Sequence, residues 1–380
     1  MALFSSQPVR VAVVGLGFGL QVHVPALRAC EGLEAVALWH PNPSRLDAAS
    51  AAADLPGASS YEALLADPTV DALVLATPPE PRLALARAAL EAGKHLLLEK
   101  PVTLSAPDAE ELQRLALRRH LTVAVDFEYR AVPLFQQLAQ LLSQGAVGTP
   151  WLVKLDWLMS SRANPSRPWS WYSQAAAGGG VIGSLGTHAF DMLHWLMGPT
   201  RGMQAFLSTA IQERPLPEDG RMAAVDADDI ALVQLELETP AGGVVPAQVN
   251  LASVARHGRG CWLEVYGSEA TLVLGSTRQT DYVHGFQLWH GEPGEQTLRL
   301  LTPDPELAFP RTWEDGRIAP VCRLMGWWER AIHQGTPMVP GLAEAVASQR
   351  DCDTALTRGC RMAPFPQRRW TESPDTWPIQ

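Results

Sequence analysis

The sequence is poor in the features that mark several large classes of protein. Charged side chains make up only 18% of its 380 residues and sum to −10. A protein that tracks a phosphate backbone carries a basic face, so nucleic acid is excluded as a partner. No apolar run approaches the ~20 residues that a membrane span needs. Residues 1–10 also lack the apolar core of a signal peptide, so a cytoplasmic protein with no membrane partner is expected. The five cysteines, Cys30, Cys261, Cys322, Cys352 and Cys360, are odd in number and form no CxxC pair. None has a local His or Cys at zinc spacing, so reduced thiols and no bound metal are expected. Tyrosine is scarce, with 5 residues against 13 tryptophans. Most of those tryptophans are expected in cores, with some left to offer a flat face to a sugar or another ring. There is no internal repeat. Apolar periodicity fades only from about Pro364, where an irregular tail is expected.

What is present is a rhythm of strands and helices. "VRVAVVGLGFGLQVHVPALRAC" begins with a buried-type strand, Val9 to Val14, and turns through Gly15, Gly17 and Gly19 into a helix. Such glycines allow a tight turn and close approach of a pyrophosphate, which a helix N-terminus then stabilises. The third glycine of GxGxxG would fall at Leu20, and Gly19 stands one residue early. Phe18 and Leu20 complete the candidate cofactor loop. "EAVALW", "DALVLAT" and "HLLLE" read as further buried strands, separated by a helix from near Ser60 and an alanine-rich one closed by Gly93. The expectation is α/β: a doubly wound parallel sheet over about residues 1–130. "HLLLE" runs directly into Glu99, Lys100 and Pro101, and ligands bind at the carboxyl ends of such strands.

The second strand ends in His40, where an NAD-specific site carries an acid for the ribose hydroxyls, and no carboxylate follows until Asp47. His40, Ser44 and Arg45 could instead meet a 2′-phosphate, or the loop could simply carry a surface arginine. NADP(H) is modestly favoured over NAD(H). Beyond a helix from about Pro133 to Ser143, the runs "WLVKLDWLM", "GMQAFLSTAI", "DDIALVQLELE" and "GVVPAQVNLAS" are β-rich.

The glycine turn, "ATPPEPR" with Thr77 and Pro78, "EKP", "GGGVIGSLGTHAFDMLHWLMG", "LEVYGSEATLVL" and the closing "WWERAIHQGTPMVPGLAEAVASQRDCDTAL" occur in the order of the Gfo/Idh/MocA oxidoreductases. The chain resembles that family over nearly its whole length. The resemblance implies a Rossmann domain over residues 1–130. It implies a substrate-binding and oligomerisation domain over 131–380, α+β in class and built on a large, mostly antiparallel sheet. It also implies NAD(P)(H) as cofactor and a homodimer or homotetramer formed through that sheet. Lys100 is the residue that matches the family's lysine, which holds the substrate hydroxyl and nicotinamide ribose, with Glu99 beside it. His188 matches the acid/base histidine, and an imidazole that titrates near neutral pH suits that exchange.

Departures from the pattern bear on the chemistry. Ser184 stands where sugar and polyol dehydrogenases of the family often carry an aspartate. Asp191, three residues after His188 and on the same helical face, is a candidate for the missing charge or a structural residue. Arg82 replaces a histidine near the cofactor. Tyr129 and Arg130 are candidate cleft residues, with an interdomain salt bridge as the alternative for Arg130. Trp169 and Trp171 stand near the place of a family arginine and would form a stacking wall or pack in the core. The reading is hydride transfer between nicotinamide and a hydroxyl or carbonyl of a sugar, polyol or related molecule. The alternatives are a reductase of an unsaturated ring, an NAD-dependent glycoside-cleaving enzyme, and a dinucleotide-binding regulator without catalysis.

Overall fold

Short apolar strands joined by helices must run parallel, because each helix returns the chain to the same edge of the sheet. The computed structural model, which describes residues 7–278 and 285–362, begins this way. The tail from about Pro364 lies outside the described residues. Strands β1 (Val9–Val14), β2 (Leu33–Trp39), β3 (Ala72–Leu75), β4 (His95–Leu98) and β5 (Val123–Val125) form one parallel sheet in the order β2-β1-β3-β4-β5. Helices α1 (Val24–Ala29), α2 (Pro43–Ala53), α3 (Tyr61–Ala66), α4 (Pro79–Glu91) and α5 (Ala106–Arg119) connect them. Asn42, Ser60 and Ser105 cap α2, α3 and α5 by accepting the backbone N–H of Arg45, Ala63 and Asp108. The strand order reverses at β1, and the crevice opened there is where ligands bind in such sheets.

Helix α6 (Pro133–Ser143) carries the chain to a second sheet. Its strands are β6 (Pro150–Leu158), β7 (Thr200–Ser208), β10 (Ile230–Glu238), β11 (Val244–Ala252), β12 (Gly260–Gly267), β13 (Thr271–Ser276), β14 (Gln287–Gly291), β15 (Arg299–Leu300) and β16 (Cys360–Arg361). Strands β8 (Glu213–Pro215) and β9 (Met222–Ala224) form a separate hairpin. Only the β6–β11 and β7–β16 pairs of the large sheet are parallel. One face packs on helices. Ala231, Val233, Leu235 and Leu237 of β10 are buried in the core that holds Phe190 and Leu193 of α7 (Thr187–Leu196), while the residues between them face outward.

The last two helices, α8 (Ile318–Gln334) and α9 (Leu342–Arg358), return to the first sheet. Val321, Leu324 and Trp328 of α8 share a core with Val11, Val13 and Leu27. Leu342 and Ala345 of α9 pack with Leu98 and Val125, whereas Cys352 and Ala355 of the same helix belong to the second core. Among the described residues no helix is long and apolar enough to cross a membrane.

A buried ion pair joins the end of the first sheet to α7. Arg130, in the 3-10 turn Glu128–Ala131 after β5, donates to Asp191 through Nε at 2.9 Å and Nη2 at 2.7 Å. Arg130 is 7% exposed and Asp191 1%. Removing one partner leaves the other charge uncompensated. Arg130→Leu should therefore cost about 3–5 kcal/mol in denaturant unfolding, and Arg130→Leu/Asp191→Leu should recover much of it. If the double variant is no more stable than the single one, the pair is not a closed electrostatic unit.

Candidate active site

The three glycines after β1 have three different surroundings. Gly15 has φ +102, and a Cβ there would lie 2.5 Å from the carbonyl oxygen of Ala76. A Cβ on Gly19 would lie 2.9 Å from Val13 Cγ1 and 3.2 Å from Ala76 Cβ. A Cβ on Gly17 would meet nothing within 4 Å. The first therefore makes the turn and the third lets helix and strand pack, while the second leaves room for a ligand, the division of labour a pyrophosphate loop needs. The helix opens with a π-helical turn, Gly19–His23, before α1. Leu20 packs against the core beside β1 rather than facing the crevice.

The crevice continues into a cavity of about 840 Å³ between the strand ends and the second domain. Its dinucleotide end is walled by Gly15, Gly17, Phe18, His40, Arg45, Thr77 and Pro78. Its far end is walled by Glu128, Tyr129, Trp157, Trp171, Tyr172, Ser184 and His188, with Lys100 and Glu99 also in the wall. A dinucleotide fits this surface: Gly17 presents open backbone beside the helix start, and His40 with Arg45 flanks the end of β2. His40 Nδ1 accepts the backbone N–H of Asn42 at 3.0 Å, which leaves Nε2 as the ring's donor.

Lys100 stands beside a cluster of buried polar groups. Its Nζ donates to the Ser184 carbonyl at 3.3 Å. Glu99 Oε1 lies 2.9 Å from His23 Nε2, and Asp126 Oδ2 lies 3.6 Å from the same nitrogen. Burial opposes the charge of Glu99, but His23, Lys100 and Arg82 outweigh it and hold the group down at about 2. Asp126 goes the other way: burial first, then the charges of Glu99 and Glu128, raise it well above the usual carboxylate range. The ligand atoms of His23, Glu99 and Asp126 lie within 4.8 Å of one another. Within that cluster His23 and Glu99 are hydrogen-bonded to each other, and it lies behind Lys100.

His188 and Glu128 form the second half of the centre. His188 Nε2 is 3.6 Å from Glu128 Oε2. The π-helical turn Ile182–Gly186, whose Ile182 N–H is held by Asp228 Oδ2 at 2.9 Å, leads into the helix that carries His188. The imidazole packs edge-on against Tyr129 and Phe127, with ring centroids 5.0 and 5.9 Å away. Burial and then the charge of Lys100 push it well below its ordinary range, so it is neutral at neutral pH rather than titrating there as its residue type alone suggests. Burial also raises Glu128, to about 7. An acid held up beside a base held down is the arrangement that separates proton-transfer roles.

Several expected site residues are placed elsewhere. Asp191 is buried in its pair with Arg130 and stands outside the cavity wall, so its charge is already matched. Glu128, from another element, is the carboxylate that reaches His188. Arg82 does line the cavity, but it is 2% exposed and its guanidinium donates to the carbonyls of Thr77, Glu99 and Pro101, bracing the strand ends. Trp169 donates to the Ala224 carbonyl and is not in the wall, whereas Trp171 is. Ser44 and Gly19 are likewise outside it. Ser184 is in place, with its Oγ 2.6 Å from the Tyr172 hydroxyl. Trp157, Tyr172, Arg162 and Glu128 were missed as site residues. Glu128 follows β5 by three positions, and that strand-end location was the available signal.

A glycine turn at the switch point of a parallel sheet opens into a cavity where Glu128, from the end of β5, meets His188 of α7, an arrangement that suits a dinucleotide-dependent oxidoreductase. Residues 9–127 match an oxidoreductase family described by its NAD-binding Rossmann fold, and residues 135–273 match the GFO/IDH/MocA C-terminal domain. An uncharacterized oxidoreductase of Synechocystis is 44% identical over 369 residues, covering 96% of each chain. The chain belongs to the Gfo/Idh/MocA oxidoreductase family. Levoglucosan dehydrogenase of Pseudarthrobacter phenanthrenivorans is 29% identical over 238 residues, 59% of this chain and 60% of that one. A solved structure of levoglucosan dehydrogenase in complex with NADH and levoglucosan superposes with a TM-score of 0.80 at 24% identity, covering 92% of this chain and 96% of that one.

The raised acid has a consequence for stability. Glu128 keeps its proton up to about 7 in the folded protein, against an ordinary value of 4.5. Its contribution is fully present below the unfolded value and is lost as pH rises from about 4.5 to about 7. Glu128→Gln should therefore gain stability relative to the parent, by roughly 1–3 kcal/mol, as pH goes from about 4.5 to about 8. Urea titrations of both proteins across that range check it. Parallel pH dependence in the two would mean that Glu128 ionises normally.

Proposed function

We propose that the protein transfers hydride between a nicotinamide dinucleotide and a secondary hydroxyl or carbonyl of a sugar-like molecule. The observation that carries the reading is the approach of Glu128 to His188, 3.6 Å, beside Lys100 in the cavity that the glycine turn opens into. The dinucleotide, when bound, supplies the hydride acceptor or donor. The Lys100 ammonium binds the oxygen on the reacting carbon and disfavours its protonated state. In the oxidative direction the neutral His188 imidazole takes the hydroxyl proton, and Glu128, once ionised, stabilises the imidazolium. In the reductive direction the same groups return that proton. Glu128 thus does from the end of β5 what the aspartate absent at Ser184 would do from the catalytic helix. A sugar-like substrate is supported by the Trp157 and Trp171 walls and by relatives named levoglucosan dehydrogenase and D-xylose dehydrogenase.

Lys100→Ala and His188→Ala should each lower kcat by at least ~10²-fold, the scale of a positioned proton-transfer group, with cofactor binding retained. Glu128→Gln should remove a limb near pH 7 from the pH–rate profile. A panel of sugars and polyols followed through the absorbance of the reduced nicotinamide provides the assay. Near-normal kcat in the Lys100 variant would overturn the assignment.

The preferred cofactor is NADP(H). His40 and Arg45 wall the cavity beyond β2, and no carboxylate from that loop does. NADPH should bind about 10-fold or more tighter than NADH, ~1.4 kcal/mol, modest for one charge-assisted phosphate contact. Arg45→Ala should erode the preference and His40→Asp should reverse it. Titration of tryptophan fluorescence with both cofactors measures this, and equal affinities would refute it.

A further inference from the structure

Arginine is usually satisfied by carboxylates or carbonyls when it is withdrawn from water. The loop that leaves β6 carries Arg162 into the cavity wall, and three other arginines hold that loop in place. Arg214, 4% exposed, donates to the carbonyls of Arg162 at 2.7 Å and Asn164 at 2.8 Å. Arg167 donates to the Ser161 carbonyl at 3.0 Å and Arg256 to that of Ala163 at 3.1 Å. The Arg162 backbone N–H is itself tied to the Ser253 carbonyl at 2.8 Å. The loop is therefore rigid, and its clamps use their own donors on backbone.

Arg162 is different. Its guanidinium carbon lies over the Tyr172 ring, 3.1 Å from the centroid, at the cavity surface. Among the described residues no carboxylate comes within 4.0 Å of it. Burial lowers it to about 10, with Arg167 and Arg214 adding to that, so it remains charged at neutral pH. From this cation a short path leads to the reacting groups. The Tyr172 hydroxyl is 2.6 Å from Ser184 Oγ, and the Ser184 carbonyl accepts from Lys100 Nζ.

We infer that the substrate carries an anionic oxygen group, a carboxylate or a phosphate, and that Arg162 receives it while Lys100 and His188 act on a hydroxyl of the same molecule. The inference rests on the reading under Proposed function and narrows its substrate class from sugars in general to sugar acids or sugar phosphates. A planar guanidinium pre-set on an aromatic face binds such a group with two parallel hydrogen bonds and little loss of side-chain freedom. The positive field of the surrounding arginines favours the same charge.

The test compares matched panels of aldoses, aldonates, uronates and aldose phosphates on the cofactor-loaded protein, by thermal shift and by turnover. Separate aldonate, uronate and phosphate arms identify the source of the anion. At least one charged panel should bind ~10-fold or more tightly than the neutral aldoses. Arg162→Met should weaken that binding about 10- to 100-fold, the range for a hydrogen bond to a charged group, and weaken neutral aldoses by less. Arg162→Lys should fall between, because it keeps charge but not the fork. NADPH titration of each variant establishes that it is folded. Neutral aldoses preferred by the parent, or charged ligands indifferent to Arg162→Met, would overturn the inference. Turnover of neutral aldoses without charge preference would leave the oxidoreductase reading standing and this inference refuted. Arg162-dependent binding of anions with no hydride transfer to any panel would do the reverse.

Discussion

The bidentate pair between Arg130 and Asp191 is the constraint on which the site geometry depends. Arg130 lies two residues after Glu128, and Asp191 three residues after His188. Arg130 therefore shares a turn with Glu128, and Asp191 shares one with His188. Closing the ion pair holds Glu128 and His188 in approach, alongside the helix Leu342–Arg358 that packs into both cores. A buried ion pair adds little net stability over apolar packing, but it admits far fewer alternative alignments. Fixed alignment is what brings two side chains from elements far apart in sequence into a defined approach.

Burial then differentiates groups that are chemically alike. Glu99, Asp126 and Glu128 are three carboxylates in one neighbourhood that their surroundings shift differently. Glu99 is held low by His23, Lys100 and Arg82; Asp126, buried and facing that charge, is pushed well above the usual carboxylate range; Glu128 is raised to about 7. Low dielectric makes each of these choices sharp, because an ionised group without a partner is costly there. Arg82 contributes at a distance from the chemistry. By gathering the carbonyls of Thr77, Glu99 and Pro101 it draws together the ends of β3 and β4, where both the dinucleotide surface and Lys100 are mounted.

The aromatic residues complete the enclosure. Tyr129 packs edge-on against Phe135, Trp157 and His188, so one residue links the second core to His188. Trp171 and Tyr172 then close the far end of the cavity. Tyr129, Trp157 and Trp171 give the wall apolar surface beside its charged and polar groups.

By itself the sequence determined the parallel sheet, the glycine turn, the strand-end placement of Lys100 and the family. These follow from local order: apolar runs of strand length, helices between them, and glycines at a turn where a Cβ would collide. Helix α6 was legible to its ends for the same reason, since a proline start and an amphipathic run are local signals. Tertiary structure alone decided which carboxylate reaches His188, why Asp191 does not, that Arg82 faces inward and that Arg162 faces the cavity. It also decided that α8 returns to the first sheet. Each of these depends on residues distant in sequence: 61 positions separate Arg130 from Asp191, and 84 separate Lys100 from Ser184. Periodicity and motif spacing report on neighbours along the chain, whereas charge state and partner choice are set by burial and by which elements meet, and only the packed fold defines those.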